Sequence, residues 1–242
     1  MRKGIVCAVV CLMVTIGLVA CGGGGGSSSG GGTSNADVGG YWAVYFDSAG
    51  DGNYWNLTQN GGTLTGQYSC LGKESFTGTI NNNTITISWQ RPSSVTLTMT
   101  GTVSGSNIQN GTYTATGGSS GTWSAVKHSA VPTEKECVIQ TAYAFCTYMT
   151  STNKYYAGFE VDDPTALVQT ANMSVSGIAG SAALTYNLGG TNPGVWLVSP
   201  LVLVSSGAMP PTFPLNYTLQ LNFKDSTTID VFRTVTSYGT TF

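Results

Sequence analysis

The chain has 242 residues, of which only 8 % are charged, and a net charge of -2. An average soluble protein carries about 25 % charged residues, so Thr, Ser, Asn, Gln and Gly must supply the polar surface here. The absence of a basic cluster argues against a nucleic-acid partner and against steering of an anionic ligand, and a single histidine, His128, excludes multi-histidine metal sites and leaves a Ser-His-Asp triad dependent on one poorly placed residue.

The chain begins with Arg2 and Lys3, followed by an uncharged, largely apolar run from Gly4 to Val19. A positive start and a short greasy core make a secretory signal; the run is too short, and wrongly flanked, for a spanning helix. It ends in Leu18-Val19-Ala20-Cys21. That tetrapeptide resembles the lipobox of bacterial lipoproteins. The resemblance implies that residues 1–20 are a signal peptide and that Cys21 becomes the first mature residue, lipidated on sulfur with diacylglycerol and further acylated by a fatty acid such as palmitate. Three acyl groups would hold the protein durably, because one chain gives marginal binding and two or more give stable anchoring. Gly22 stands where an Asp would favour the inner membrane in well-studied Gram-negative lipoproteins, which leans towards the outer membrane, facing the periplasm or the surface. Residues 21–37 are then the lipidated cysteine and a tether. Gly22 to Ser34 is almost wholly Gly and Ser, cannot bury apolar area to offset ordering entropy, and has a mean reach near ~20 Å.

Residues 38–127 carry short strands at close spacing: Tyr41–Phe46, Tyr54–Gln59, Thr63–Cys70, Ser75–Ile80, Thr84–Trp89, Ser94–Val103, Gln109–Ala115 and Gly121–Val126. Period-two alternation throughout predicts one wet and one buried face. Eight strands joined by tight turns make an up-and-down meander that can close into a barrel and so remove both edges. Gln59-Asn60-Gly61 and Gln109-Asn110-Gly111 echo one another and predict a repeated hairpin unit. The stretch Asp47–Asn53 fits a hairpin loop better than a calcium loop, because Ala49 and Thr58 stand where ligands are needed. Gly40-Tyr41-Trp42 on the first strand and Gly121-Thr122-Trp123 on the last are similar to avidin-like and lipocalin-like barrels. That resemblance implies a small hydrophobic or heterocyclic ligand in the barrel mouth, with Trp42, Trp55, Trp89 and Trp123 as candidate ligand-binding residues. The competing reading is that these four, with Tyr68, Phe76 and Tyr113, fill the barrel as packed core.

Lys127–Pro132 breaks the pattern and reads as a linker opening a second module, residues 128–242. Its strands are Val138–Met149 (a segment whose composition also permits a helix), Tyr155–Val161, Leu167–Ser176, Ala182–Asn187, Gly194–Val204, Asn216–Phe223 and Thr227–Val235. Seven strands in this length match an immunoglobulin-like β-sandwich, without its Cys-Trp-Cys hallmark. Ser199-Pro200 makes Val195–Val204 an interrupted edge strand. Cys70, Cys137 and Cys146 remain after the signal and anchor, so at least one thiol stays free. Buried core filler is the preferred reading for them; a bond from Cys137 to Cys146 spans too far along a strand, and Cys70 with either would staple the two modules together.

No catalytic group emerges. Glu160, Asp162 and Asp163 form the densest carboxylate set, but neighbours on a strand point to opposite faces and Asp162-Asp163-Pro164 reads as a solvated turn. No cofactor and no metal ligands are expected. The fold class is all-β, and the expected function is that of a non-enzymatic, lipid-anchored envelope lipoprotein with a binding or structural role. The alternative is a small hydrophobic-ligand carrier using the first barrel, and an enzyme of unknown type ranks third. Expected partners are the membrane, through the lipid, and an envelope protein, a glycan or a small hydrophobic ligand.

Overall fold

The computed structural model describes residues 34–46, 51–70, 74–90, 94–187, 194–198, 201–204 and 210–241. The signal peptide, Cys21 and nearly all of the tether lie outside the described residues, as do positions 47–50 of the first hairpin loop.

Eight strands form the first body: β1 Gly40–Phe46, β2 Asp51–Asn60, β3 Thr63–Tyr68, β4 Ser75–Asn81, β5 Thr84–Gln90, β6 Thr96–Ser104, β7 Asn107–Ala115 and β8 Ser120–His128. Each pairs with its neighbour in sequence, and β1 pairs antiparallel with β8 from Tyr41↔His128 to Phe46↔Trp123, so the meander closes into a barrel. Closure removes the unpaired edges that a sheet of this hydroxyl-rich composition would leave exposed. The strands alternate as their sequences dictate: in β3, Leu64, Gly66 and Tyr68 are buried while Thr63, Thr65 and Gln67 are exposed. Asn82 takes φ +53 in the β4–β5 turn, a conformation that Asn tolerates better than most residues.

The interior is crowded, and glycine marks where it is tightest. A Cβ on Gly111 would lie 2.2 Å from the Trp123 carbonyl oxygen and 2.7 Å from its indole. Phe76 likewise covers Gly66, its cross-strand partner. Gly111→Ala is expected to cost about 2–3 kcal/mol through overpacking against backbone that has no room to shift. A urea midpoint unchanged from wild type would contradict this.

Bulges at Thr100/Thr102 in β6 and Ile108/Gly111 in β7 interrupt the ladder. The Thr100 carbonyl accepts the Trp123 indole N–H at 2.9 Å across β7. This corrects the expected repeat. Gln59-Asn60-Gly61 leads into the β2–β3 turn, whereas Gln109-Asn110-Gly111 is a bulge inside β7, with Asn110 at φ +52. Identical tripeptides adopt different conformations because the bulge must carry β7 past the Trp123 ring.

Asn35 and Ala36, read as part of the tether, are instead built into one end of the barrel. The Asn35 side chain accepts from the Asn82 amide at 2.8 Å, and Ala36 N–H donates to the Asn82 carbonyl at 2.6 Å. Gln59 reaches back to bond both Ala36 and Val38. Val38 is fully buried, and its carbonyl accepts the Trp42 indole N–H at 2.8 Å.

The second body begins with a short helix, α1 Glu134–Gln140, where the expected strand Val138–Met149 opens. Thr133 and Glu136 form a reciprocal capping box, which fixes the helix start and splits the segment. The remaining strands are β9 Tyr143–Met149, β10 Lys154–Asp162, β11 Val168–Val175, β12 Ala182–Asn187, β13 Val195–Val198, β14 Leu201–Val204, β15 Leu215–Phe223, β16 Thr228–Val235 and β17 Gly239–Thr241. They make one sheet ordered β16-β15-β11-β12-β13-β10-β9-β17, with β14 also paired to β10. In place of a two-sheet sandwich there is one nine-stranded sheet that curls over its own core. Tyr217 on β15 donates its hydroxyl to the Phe145 carbonyl on β9, and Phe159 on β10 meets the Tyr217 ring edge-on at 6.3 Å. Arg233 on β16 donates to the Ala142 and Ile139 carbonyls. The expected interrupted run Val195–Val204 does break into two strands, but β13 lies between β12 and β10 and is not an edge.

Candidate functional site

Three places could host function: the barrel interior, the junction between the bodies, and the barrel wall.

The four tryptophans proposed as ligand contacts all point into the barrel. Trp42 and Trp55 are 0 % exposed, Trp89 and Trp123 are 3 % exposed. Trp55 sits at the centre, with its ring centroid 4.8 Å from Phe76, 5.5 Å from Trp123 and 6.3 Å from Phe46. Tyr68 packs on Trp89 at 4.8 Å. Tilted rings at these separations are a packed aromatic core. Two of the indoles also spend their N–H on backbone carbonyls, Trp42 on Val38 and Trp123 on Thr100. The Trp55 N–H is buried and makes no hydrogen bond among the described residues.

The junction is where the sequence was least informative. β8 runs on through Lys127 and His128, so the linker starts later than expected, at Ser129. Cys70, just past β3, bonds Cys137 in α1, with the Cα atoms 5.2 Å apart. The core-filler reading therefore holds for Cys146 alone, which is free and buried, its thiol pushed up to about 11 by burial. Gln140 donates its amide to the Val44 carbonyl at 2.8 Å in a buried bond. A Cβ on Gly52 would meet that amide at 2.6 Å, so β2 must pass α1 without a side chain there. Ala43 and Tyr54 are buried although neither belongs to the barrel core. Burial, and then the Glu136 charge, push the Tyr54 hydroxyl up to about 12. His128 contacts both, its ring edge-on to Tyr54 at 5.0 Å and its Nε2 3.3 Å from the Glu136 carboxylate. Beside the disulfide lies a cleft of about 180 Å³ lined by Ser69, Glu134, Asp162, Pro164 and Thr165, among others.

Asp163 is the clearest correction. Expected in a solvated turn, it is 0 % exposed. Its Oδ1 accepts from Leu167 N–H at 2.8 Å, and its Oδ2 accepts from Val168 N–H at 2.9 Å and from the Trp196 indole at 3.0 Å. The Tyr186 hydroxyl donates to its carbonyl at 2.7 Å. Every ligand of this carboxylate among the described residues belongs to the second body, so its work is to fasten the β10–β11 connection. Among the described residues no group of His, Cys, Asp and Glu could hold a metal ion.

The barrel wall differs from the rest of the surface. A groove of about 450 Å³ crosses the outside of β2, β3 and β4. It was missed at the sequence level because Thr and Ser in strands read as generic polar filler; the cue was their regular register without any charge. No family model, no curated protein and no solved structure matches this chain.

Proposed function

We propose that this chain is a non-catalytic, lipid-anchored protein of the bacterial cell envelope, held to a membrane through Cys21 and displaying the barrel and the curled sheet for binding or structural work. The observation that carries the reading is the basic start, the apolar run and the Leu18-Val19-Ala20-Cys21 ending. The Cys70–Cys137 disulfide supports it independently, because such bonds persist in oxidising compartments such as the periplasm and cell surface. Gly22, standing where an Asp would favour the inner membrane, supports an outer-membrane address.

The carrier reading has one observation in its favour, the Trp55 indole left without a hydrogen-bond partner among the described residues. Against it stands the packing of Trp42, Trp55, Phe76 and Trp123, which occupies the space a ligand would need.

Metabolic labelling with an alkyne palmitate, followed by fractionation, tests the anchor. Wild type should take the label and sediment with membranes. Cys21→Ser should lose the label and at least about tenfold of its membrane association, since stable attachment needs the acyl chains. An unlabelled wild type, or a serine variant as membrane-bound as wild type, would overturn the proposal.

A further inference from the structure

Over β3 to β7 the exposed positions of the barrel's outer wall are hydroxyl and amide side chains held in cross-strand register. One ring runs Thr58↔Thr65↔Thr77↔Ser88↔Thr98↔Thr114 across six strands. The next runs Thr63↔Thr79↔Thr86↔Thr100↔Thr112↔Thr122, with Thr100 and Thr112 hydroxyls 3.2 Å apart. Strands β3 to β7 contain no Asp, Glu, Lys or Arg. Solubility alone is normally secured by interspersed charge, and a wall without any is suited to a partner that has none.

Over β2–β4 this wall is concave. The groove over β2–β4 has two facing rows, Asn56, Gln67 and Ser75 on one side and Thr58, Thr65 and Thr77 on the other. Gly66 and Phe76 contribute to its floor. Gly66 has no side chain to add there, and its cross-strand Phe76 ring packs against the barrel interior. The groove therefore presents six neutral groups, each able to donate and accept, in two parallel lines. Along each line the spacing is that of adjacent strands, about 4.8 Å, close to the advance of a linear glycan per pyranose.

We propose that this groove binds a neutral polysaccharide, with the chain lying across the three strands and its hydroxyls bonded to the two rows. The charge-free lining disfavours phosphorylated or carboxylated ligands and nucleic acid. The inference does not depend on the lipid anchor. It can be tested on residues 34–242, which contain both the barrel and the curled sheet as one compact unit.

Titration calorimetry with neutral hexasaccharides of α-linked glucose, β-linked glucose, β-linked mannose and β-linked N-acetylglucosamine tests this, with polygalacturonate as the charged control. At least one neutral probe should bind and the control should not. Thr58→Val, Thr65→Val and Thr77→Val together keep β-branched shape in each strand and should weaken binding at least about tenfold by removing three hydrogen-bonding groups. Thr98→Val with Thr114→Val makes the same chemical change in the same ring outside the groove and should leave affinity within about twofold. Thermal melts of both variants check that the barrel is intact; if the triple variant does not fold, Asn56→Ala with Ser75→Ala takes its place, with the same expected loss. Failure of every neutral probe to bind, equal binding of polygalacturonate, or an equal loss in the two valine variants would overturn the proposal.

Discussion

Asp163→Ala is expected to destabilise the protein by about 3–5 kcal/mol. The variant strands three donors that now converge on one carboxylate, the Leu167 and Val168 amides and the Trp196 indole. A buried donor left without its partner costs about 1–3 kcal/mol, and bonds to a charged acceptor sit at the upper end of the range. The total is a large share of the ~5–15 kcal/mol that holds a domain together. Asp163→Asn should be nearly as harmful despite its equal size. An amide presents one acceptor and one donor group, while both Asp163 oxygens face N–H groups, so one side of the amide must point hydrogen at hydrogen. Asp230→Ala is the control: Asp230 is exposed and accepts a single 3.3 Å bond from Gln220, and its loss should fall within about 0.5 kcal/mol. Urea unfolding followed by tryptophan fluorescence would measure all three. A loss under 1 kcal/mol for Asp163→Ala would show that the β10–β11 connection does not depend on this carboxylate.

The same residue shows where sequence reading stops. Local alternation located the barrel strands to within a few residues, because in a meander every pairing is with the next strand and every turn announces itself. Five of the seven strand regions expected in the second body were likewise placed near their observed bounds, whereas Val138–Met149 opens as a helix and Gly194–Val204 is two strands. What local pattern cannot supply is which distant strands meet. β15 pairs with β11 across about forty intervening residues, and the resulting curl turns an Asp-Pro turn inward onto Trp196. The disulfide has the same character: Cys70 and Cys137 lie 67 residues apart, a distance over which no periodicity speaks. The start of α1 was legible in principle, since Thr133 and Glu136 have capping-box spacing, but the apolar run beyond them masked it. The groove on β2–β4 needed register, because only the pairing Asn56↔Gln67↔Ser75 lines these residues up.

Cys70→Ser with Cys137→Ser is expected to cost about 4 kcal/mol. Closing a loop of 67 residues removes roughly that much entropy from the unfolded chain at room temperature in the chain-entropy account. Changing both residues avoids leaving a lone reactive thiol at the junction, and Cys146 offers no substitute partner, being buried with its thiol raised to about 11. The junction should loosen without falling apart, because the buried Gln140-to-Val44 bond, the close passage of Gly52 under Gln140 and the Tyr54–His128–Glu136 contacts remain. The double variant should therefore unfold at lower urea while keeping both cores. Adding a dithiol to wild type should reproduce the same shift, since the cleft beside the bond is open enough to hold small molecules. The loss should not simply add to that of Asp163→Ala. Asp162 and Pro164, which flank Asp163, line the same cleft as both cysteines, and neighbours that share a structural element couple by about 0.5–3 kcal/mol. A double serine variant within 1 kcal/mol of wild type would mean that the non-covalent contacts alone hold the two bodies together.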